Sequence, residues 1–327
     1  MIITRTPFRI SFAGGGSDLA CYYSEEPGAV LSTAIDKYMY LTVKERFANT
    51  FRVSYSRTEL VDTRDQIEHP IVRECLNCLE VNQGLEIVSV ADLPGGGGMG
   101  SSSSFTVGLL HALHVREGRV VTPQRLAEQA CHIEIDILHE PIGKQDQYIA
   151  AYGGLKFIQF QPDGSVFVDP VICRRGTWEE LNRRFLLFFT GKTRSASQIL
   201  AKQQVNCDSR RHAVRGLCQL ARQMRDILTA GNDLNEFGRL LHEAWETKKT
   251  LEASISNPAI DEMYDKGRRA GALGGKLLGA GNGGFLLFFC EPHLQSRVRA
   301  ALAGLIEVPF SLEHEGTKVI FVGGDRS

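Results

Sequence analysis

The sequence has no run of about 20 consecutive apolar residues, the length that a membrane-spanning helix needs, so no membrane partner is expected. Its first ten residues, MIITRTPFRI, lack the apolar core of a secretory signal peptide, which favours a cytoplasmic location. The sequence also has no large excess of positive or negative charge, because it contains 37 Lys and Arg residues and 38 Asp and Glu residues, for a formal net charge of -1. No Lys/Arg cluster is interleaved with aromatic residues, so a nucleic acid is not an expected partner either.

A disulfide framework is not expected, because eight cysteines are few for a chain of 327 residues. Cys75 and Cys78 form a single C-x-x-C, but no second pair and no suitably spaced histidines accompany it, which argues against a zinc site. Their i, i+3 spacing is typical of two small residues on one side of a helix. With 43% apolar residues, the chain is long enough to build two packed domains of ordinary size.

The most informative stretch lies between residues 94 and 104 and reads PGGGGMGSSSS. It follows a β-like run, residues 85–90, and precedes a helical pattern that begins near Phe105, so the unit is strand, glycine loop and helix. Glycines leave main-chain amides open to a bulky ligand, and the first helical turn adds unpaired N–H groups at the positive end of the helix dipole. The loop is therefore predicted to be a cradle for phosphate.

Two other interpretations of this loop are less favourable. A flexible Gly/Ser linker is not expected to lie between a buried strand and an amphipathic helix with only a few residues to spare. A P-loop needs a lysine and a Ser or Thr after its last glycine, whereas Met99, Gly100 and Ser101 stand at this point. Later in the chain, residues 279–284 match G-x-G-x-x-G, but a strand-like run follows them where the dinucleotide-binding fingerprint needs a helix.

A strand-like run over residues 4–12 leads into a second glycine turn, AGGGSD. The turn ends in Asp18, for which an Asx-type turn is the alternative to a ligand-binding role. Arg9 lies within the strand, where a solvated arginine is the simplest interpretation. Strands come before a helical pattern in this part of the chain, which predicts an α+β fold rather than a parallel doubly wound sheet. The further strand-like runs are residues 29–32, 38–44 and 51–55.

Two more carboxylates follow the phosphate cradle. Glu134 lies on or beside the apolar line of a helix expected to run from Thr122 to His139. A carboxylate turned toward a core is unfavourable unless it binds a cation or a hydrogen-bond donor. Asp146 precedes an apolar helix, and capping that helix is the alternative to a catalytic role. Lys144 is expected to keep the carboxylate of Asp146 ionised by its nearby charge.

A polar and charged segment, residues 173–182, marks the predicted boundary between an N-terminal domain, residues 1–175, and a C-terminal domain, residues 176–327. The second domain begins with an apolar strand and a strand-to-helix loop, in which Lys192 and Arg194 provide two cations. The helical patterns that follow have charged faces typical of solvent-exposed helices.

The glycine motifs resemble those of the GHMP small-molecule kinases. TPFRISFAGGGSD is similar to the first motif of that family, PGGGGMGSSSS to the second, P-x-x-x-G-L-G-S-S-A, and KLLGAGNGGF, residues 276–285, to the third. The resemblance implies an N-terminal domain like ribosomal protein S5, a ferredoxin-like C-terminal domain, and ATP and Mg²⁺ as cofactors. The residues that it implies for ATP binding are Pro94, Gly95, Gly96, Gly97, Gly98, Met99, Gly100, Ser101, Ser102 and Ser103.

The resemblance also implies roles for charged residues. Asp146, in GKQDQY, would be the base near the attacking hydroxyl, and Arg9 would reach toward the transferring phosphoryl group. Ser102 and Glu134 would hold Mg²⁺, a hard cation suited to oxygen ligands. The acceptor would be bound by a set of residues from both domains, with the two cations on its phosphate. These residues are Gly16, Ser17, Asp18, Lys192, Arg194 and Gly281.

Within the family, the resemblance is strongest to the kinases of heptose phosphates. It rests chiefly on the segments RTPFRISFAGGGSD, MGSSSSFTVGLLHAL, GKQDQY and TGKTRSAS. It implies transfer of the γ-phosphoryl group of ATP to the anomeric hydroxyl of a heptose 7-phosphate, giving the 1,7-bisphosphate. A GHMP kinase for a galactose-, fucose- or uronic-acid-type sugar would keep every motif. A non-catalytic nucleotide or sugar sensor would be expected to lack catalytic groups that are present here. The expected partners are ATP and a sugar phosphate, and the chain is expected to be a monomer or a homodimer.

Overall fold

The computed structural model describes residues 1–193, 199, 201, 207–231 and 233–323. Within them the strands are β1 (Ile2–Ala13), β2 (Gly28–Glu45), β3 (Phe51–Ser54), β4 (Thr58–Val61), β5 (Leu85–Ala91), β6 (Leu155–Phe160), β7 (Val166–Pro170), β8 (Phe185–Phe189), β9 (Gly274–Leu277), β10 (Phe285–Phe289), β11 (Ile306–Glu307), β12 (Leu312–Glu313) and β13 (Lys318–Val322).

The α-helices of the described chain are α1 (Ala20–Tyr23), α2 (Pro70–Cys78), α3 (Ser101–Arg116), α4 (Pro123–Cys131), α5 (Gln145–Tyr152), α6 (Arg175–Arg183), α7 (Cys207–Ala230), α8 (Leu234–Lys249), α9 (Pro258–Arg269) and α10 (Gln295–Ala301). A π-helical segment, His132–Ile137, continues α4. Short 3₁₀ helices occur at Arg64–Gln66, Ala253–Ile255 and Pro292–Leu294. No helix in the described part of the chain has the length and apolar character that crossing a membrane requires.

The first sheet is built around β2, a strand of 18 residues. Its main path runs in the order β13-β1-β2-β5-β3-β4, while β12 and β6 also pair with β2, and β7 pairs with β6. The pairs are antiparallel except for β3 and β5, which are parallel. Helix α3 packs on β1 and β2. As a result, the start of α3 lies beside Arg9 of β1, since a Cβ on Gly100 would be 3.2 Å from the Cγ of Arg9.

The second sheet has the strand order β11-β8-β10-β9 and contains antiparallel pairs. Helices α7 and α8 pack against each other, α8 packs on β9, and both helices contact β1 of the first sheet. Strands β12 and β13 come after the second sheet in the chain but pair with β2 and β1 of the first. Helix α6 stands at the predicted domain boundary, and the division into residues 1–175 and 176–327 stays a prediction.

Strand β2 is longer than the sequence pattern suggested. The runs expected at residues 29–32 and 38–44 are parts of one continuous strand. Its register with β1 shifts near the middle, where Asp36 and Lys37 have no partner residue on β1. These two polar residues interrupt the apolar pattern, which explains why two strands were expected.

The helix expected from Thr122 to His139 is α4 followed by the π-helical segment. Thr122 caps α4 as the pattern predicts, because its hydroxyl accepts a hydrogen bond of 3.2 Å from the backbone N–H of Arg125. The helical conformation ends before His139, whose backbone φ is 54°. Sequence periodicity does not distinguish one wider turn from a regular helix of the same length.

Phenylalanine rings join the two sheets. Phe12, near the end of β1, stacks on Phe185 of β8 and meets Phe237 of α8 edge-on, with ring centroids 5.4 Å apart in both pairs. Phe289 of β10 completes the cluster, 5.2 Å from Phe185 and 5.4 Å from Phe237. Since Phe12 directly precedes the glycine turn, the cluster holds that turn against the second sheet.

We expect Phe12→Ala to lower the free energy of unfolding by about 3–5 kcal/mol, because it removes a fully buried ring from between two sheets. Phe47→Ala is the matched control, since that ring is fully exposed and its loss should change stability by less than about 0.5 kcal/mol. Urea denaturation followed by circular dichroism measures both values. Equal stabilities for the two variants would show that the cluster does not hold the sheets together.

Candidate active site

A cavity of about 350 Å³ lies where the phosphate-binding loop, residues 94–104, faces the glycine turn after β1. Its other walls include the start of α5 and the glycine loop of residues 276–285. The structure therefore brings all three sequence motifs and the GKQDQY segment to one place. The predicted site residues that line the cavity are Arg9, Gly16, Asp18, Gly96, Gly98, Gly100, Ser101, Ser102, Ser103 and Asp146.

The phosphate-binding loop depends on its glycines because other backbones approach it closely. Gly96, Gly98 and Gly100 have positive φ angles of 72°, 78° and 76°. A Cβ on Gly98 would be 2.6 Å from the carbonyl oxygen of Leu278. Gly100 is the N-cap of α3 and offers no side chain to cap the helix, so the first-turn amides of α3 remain available to a ligand.

Arg9 and Asp146 form a two-point ion pair on the lining of the cavity. The Nε of Arg9 donates to Oδ1 of Asp146 at 2.6 Å, and its Nη2 donates to Oδ2 at 2.7 Å. The Nη1 of Arg9 donates to the carbonyl oxygen of Gly98 at 2.6 Å. Such fork-to-fork pairing fixes both the position and the plane of a carboxylate. Asp146 is thus held directly against the phosphate-binding loop.

Lys144 does not have the role that was expected for it. Its Nζ donates to the carbonyl oxygen of Gly164 at 3.1 Å and lies 4.6 Å from the centroid of the Tyr23 ring. Arg9 of β1, 137 positions earlier in the sequence, supplies the positive charge beside Asp146 instead. Sequence proximity suggested the wrong cation, because the strand that carries Arg9 is distant in sequence and adjacent in space.

Asp18 is buried at the end of its glycine turn. Its Oδ1 accepts a hydrogen bond of 3.0 Å from the N–H of Gly16, and its Oδ2 accepts one of 3.3 Å from the N–H of Gln145. Burial raises the pKa of this carboxyl, and the charge of Asp146 adds to the rise, while the backbone hydrogen bonds oppose it. The local turn and a ligand-facing position are therefore both present at Asp18.

Glu134 is fully buried directly behind the phosphate-binding loop. It accepts hydrogen bonds from Ser102 Oγ at 2.6 Å and from Gln147 Nε2 at 2.7 Å, so the donor expected for a core carboxylate is present. Burial raises the pKa of Glu134 to about 7, although these hydrogen bonds act in the opposite direction. The residue belongs to the π-helical segment, a type of turn that often occurs at functional sites.

Two family models match the chain. The model for the GHMP kinases N terminal domain matches residues 51–154, and the model for GHMP kinases C terminal matches residues 219–305. The chain belongs to the GHMP kinases. It is accordingly a phosphotransferase that uses an alcohol group as acceptor, and the α+β GHMP kinase fold predicted from the three motifs is confirmed.

Individual relatives of this GHMP kinase were found among curated proteins and solved structures. The D-glycero-alpha-D-manno-heptose 7-phosphate kinase of Campylobacter jejuni subsp. jejuni serotype O:2 is 29% identical over 97% of this chain and 98% of the relative. The L-fucokinase/L-fucose-1-P guanylyltransferase of Bacteroides fragilis is 26% identical over 91% of this chain and 35% of that protein. A crystal structure of a D-glycero-D-manno-heptose 1-phosphate kinase from Bacteroides thetaiotaomicron has a TM-score of 0.82 and 26% identity, and the match covers 99% of this chain and 100% of that one.

Several predicted residues of this GHMP kinase do not line the cavity. Ser17 is buried and exchanges hydrogen bonds with the backbone of Ala29, and Gly281 packs against the backbone of Ile255. Lys192 is exposed, and its carbonyl oxygen accepts a hydrogen bond from Gly284. Arg194 lies outside the described residues. Five further predicted residues, in or behind the phosphate-binding loop, are also absent from the cavity lining: Pro94, Gly95, Gly97, Met99 and Glu134.

Sequence reasoning missed five polar residues that do line the cavity, and one of them is Glu140. Ser11 and Gln145 each have a buried side-chain oxygen without a hydrogen-bond partner in the described part of the chain. Lys248 of α8 and Lys276 of β9 approach from the C-terminal half. Lys276 is part of the third motif, which is the one signal that pointed to it, whereas Lys248 belongs to a helix whose charges were interpreted as solvated.

We expect Gly98→Ala to lower the free energy of unfolding by about 2–4 kcal/mol, because a side chain there combines an unfavourable φ with a collision with Leu278. Gly95→Ala is the matched control within the same loop, since a Cβ at that position meets no atom within 4 Å. Its stability should stay within about 0.5 kcal/mol of the parent protein. Thermal unfolding by calorimetry compares the two, and equal midpoints would contradict the close contact seen at Gly98.

Proposed function

We propose that this kinase transfers the γ-phosphoryl group of ATP to the anomeric C1 hydroxyl of D-glycero-D-manno-heptose 7-phosphate, giving the 1,7-bisphosphate. The product would serve the synthesis of nucleotide-activated heptose and cell-surface polysaccharide. The observation that carries the proposal is the Arg9–Asp146 pair, because it holds a carboxylate against the phosphate-binding loop. The choice of acceptor rests on the Campylobacter jejuni relative, which aligns over almost the full length of both chains.

The donor side of the site suits the phosphates of ATP. The loop of residues 94–103 offers main-chain amides, and the open first turn of α3 adds the positive end of the helix dipole. Ser102 and Glu134 are hard oxygen donors 2.6 Å apart, which fits Mg²⁺ together with phosphate and water oxygens. When bound, Mg²⁺ would neutralise part of the charge on the phosphates. Without such an ion, Ser102 and Gln147 satisfy the buried carboxylate of Glu134.

Asp146 is the proposed base. As the acceptor oxygen forms its bond to the γ-phosphorus and the bond to the ADP oxygen breaks, the hydroxyl proton passes to a carboxylate oxygen of Asp146. Arg9 fixes the carboxylate in one plane, which reduces the motion needed to reach the transfer geometry. Phosphoryl transfer needs positioning and charge neutralisation more than covalent help, so one oriented base is sufficient.

The acceptor side of the cavity suits a polyhydroxylated molecule. Asp18 is proposed to bind acceptor hydroxyls at the turn that also contains Gly16 and Ser17. Among the described residues, Ser11 and Gln145 have buried oxygens without a hydrogen-bond partner on the same lining, and hydroxyl groups of a sugar would satisfy them. Gly281 is proposed to help close the glycine loop over the acceptor.

The phosphate that the acceptor already has needs cations of its own. Lys192 and Arg194 are proposed for it, because their loop follows β8 and meets the third motif, where the Lys192 carbonyl oxygen accepts from Gly284 at 2.8 Å. An arginine can grip phosphate with two parallel hydrogen bonds. The cytoplasmic location and the choice between monomer and homodimer remain predictions.

A fucose-type acceptor is the second candidate, because the Bacteroides fragilis relative with L-fucokinase in its name aligns over 91% of this chain. Galactose- and uronic-acid-type sugars would use the same motifs. A non-catalytic sensor is disfavoured, because Asp146, Glu134 and Ser102 are present and in contact with their partners.

A coupled ADP-release screen over sugars and sugar phosphates, with phosphorus NMR of the product, tests the proposal. Turnover of unphosphorylated sugars alone would overturn the heptose phosphate assignment.

We expect Asp146→Asn to lower kcat by about 10²- to 10⁴-fold, because the amide cannot accept the hydroxyl proton. The dissociation constant for Mg–ATP should change little, since the phosphate amides are untouched. Asp169→Asn is the control, an exposed aspartate on β7 that accepts a hydrogen bond from Gln159. Steady-state kinetics and calorimetric ATP binding supply the two measurements. A fully active Asp146→Asn enzyme would remove this residue from the mechanism.

We expect Arg194→Met to raise KM for a phosphorylated sugar by about 10-fold or more, because it removes a charge-assisted contact to phosphate. KM for the same sugar without its phosphate should stay within about twofold of the parent value. Kinetics with both acceptors at saturating ATP make the comparison. An equal loss on the two acceptors would count against this assignment.

A further inference from the structure

Lys276 is a buried lysine with little to offset its charge. Only 4% of its surface is exposed, and its Nζ donates a hydrogen bond of 2.8 Å to the carbonyl oxygen of Phe12. No carboxylate in the described part of the chain forms an ion pair with it. An ammonium group has three donors, so two N–H groups remain after the bond to Phe12. Burying a charge without a counter-charge is unfavourable by several kcal/mol.

The surroundings make the burial still less favourable. Burial lowers the pKa of Lys276 well below its usual range, and the positive charges of Lys248 and Arg9 add to this effect. Lys276 of β9, Lys248 of α8 and Arg9 of β1 all line the same cavity. The carboxylates on the same lining are Asp18, Glu140 and Asp146. Such a group of cations fits a ligand that brings several negative charges.

Arg9 already uses three of its five N–H groups within the protein. Its Nε and Nη2 donate to the two oxygens of Asp146, and its Nη1 donates to Gly98. Its charge is therefore largely balanced by Asp146, although the sequence had suggested that it reaches toward the transferring phosphoryl group. Lys248 and Lys276 bring two further positive charges to the same lining.

Both lysines contact backbone groups close to the elements that would bind ATP and the acceptor. The Nζ of Lys248 donates to the carbonyl oxygen of Gly279, and Gly279 packs on Gly98 of the phosphate-binding loop, where an added Cβ would be 2.3 Å from the Gly98 Cα. Lys276 contacts the carbonyl oxygen of Phe12, just before the glycine turn of residues 13–18, which we call the acceptor turn. The two lysines thus lie between the phosphate-binding loop and the acceptor turn. The phosphoryl group would pass between these two elements as it moves from ATP to the acceptor.

We propose that Lys276 and Lys248, both from the C-terminal half, bind the transferring γ-phosphoryl group and neutralise part of its charge. This inference rests on the proposed kinase function. In the transition state, negative charge spreads over the three equatorial phosphoryl oxygens, and cations held in fixed positions stabilise it more than they stabilise the ground state. Asp146 takes the proton, Arg9 orients Asp146, and the two lysines hold the group in transit.

The test uses the full chain with Lys276→Gln as the main variant, because a Gln amide keeps hydrogen-bond donors while the charge is lost. Lys248→Gln is the second variant, and it removes a half-exposed charge without touching a buried position. Lys266→Gln is the matched control, an exposed lysine on α9 that pairs with Glu262. Thermal unfolding first confirms that each variant is folded.

The first measurement is calorimetric binding of Mg–AMP-PNP and Mg–ADP, which needs no acceptor sugar. We expect Lys276→Gln and Lys248→Gln each to weaken AMP-PNP binding by 10-fold or more and ADP binding by less than threefold, because only AMP-PNP has a γ-phosphoryl group. Lys266→Gln should change neither. Equal losses on both nucleotides, or no loss on either, would overturn the proposal.

The second measurement is turnover with the acceptor that the substrate screen identifies. Lys276→Gln should lower kcat by about 10²- to 10³-fold, as loss of one transition-state donor does elsewhere. Lys276→Arg, which keeps the charge, should retain more activity than the Gln variant. If no sugar phosphate is turned over but AMP-PNP binding shows the selective loss, the acceptor assignment fails and the lysine assignment stands. If a sugar phosphate is turned over and both Gln variants keep a normal kcat, the lysine assignment fails and the acceptor assignment stands.

Discussion

The close contact between two glycine loops is the constraint on which the rest of the site depends. A Cβ on Gly279 would lie 2.3 Å from the Cα of Gly98, so the two backbones touch with no side chain between them. This contact joins the phosphate-binding loop of the N-terminal half to the third motif of the C-terminal half. It closes one side of the cavity and brings Lys248 and Lys276 to the place where Arg9 and Asp146 meet. Glycine is required on both sides, because any larger residue would separate the halves.

Features that are encoded locally could be predicted from the sequence. The strand, glycine loop and helix around residues 94–104 follow from an apolar run, missing Cβ atoms and helical periodicity within one segment, and the structure has all three. The cap at Thr122 was predictable for the same reason. The burial of Glu134 followed from its place on an apolar helical face. The three motifs together were specific enough to identify the family and therefore the fold.

Features that depend on distant partners could not be predicted. Arg9 and Asp146 are 137 positions apart, and only the packing of α5 near β1 makes them a pair, so the nearby Lys144 was chosen instead. Lys276 reads as one polar residue in a short strand, and its burial depends on β1 and α8 covering it. The continuity of β2 across two polar residues depends on β1, β5 and β6 pairing along its length. Each of these features requires knowledge of which elements are neighbours.

The position of β13 has a consequence for the order in which the molecule can assemble. Its residues pair with the first residues of β1, so the sheet that contains the acceptor turn takes one of its outer strands from the far end of the described chain. During synthesis on the ribosome, β1 emerges before β13 and lacks this neighbour until residues 318–322 have been made. Strand β1 reaches its final pairing only after the strands of the second sheet have been synthesised.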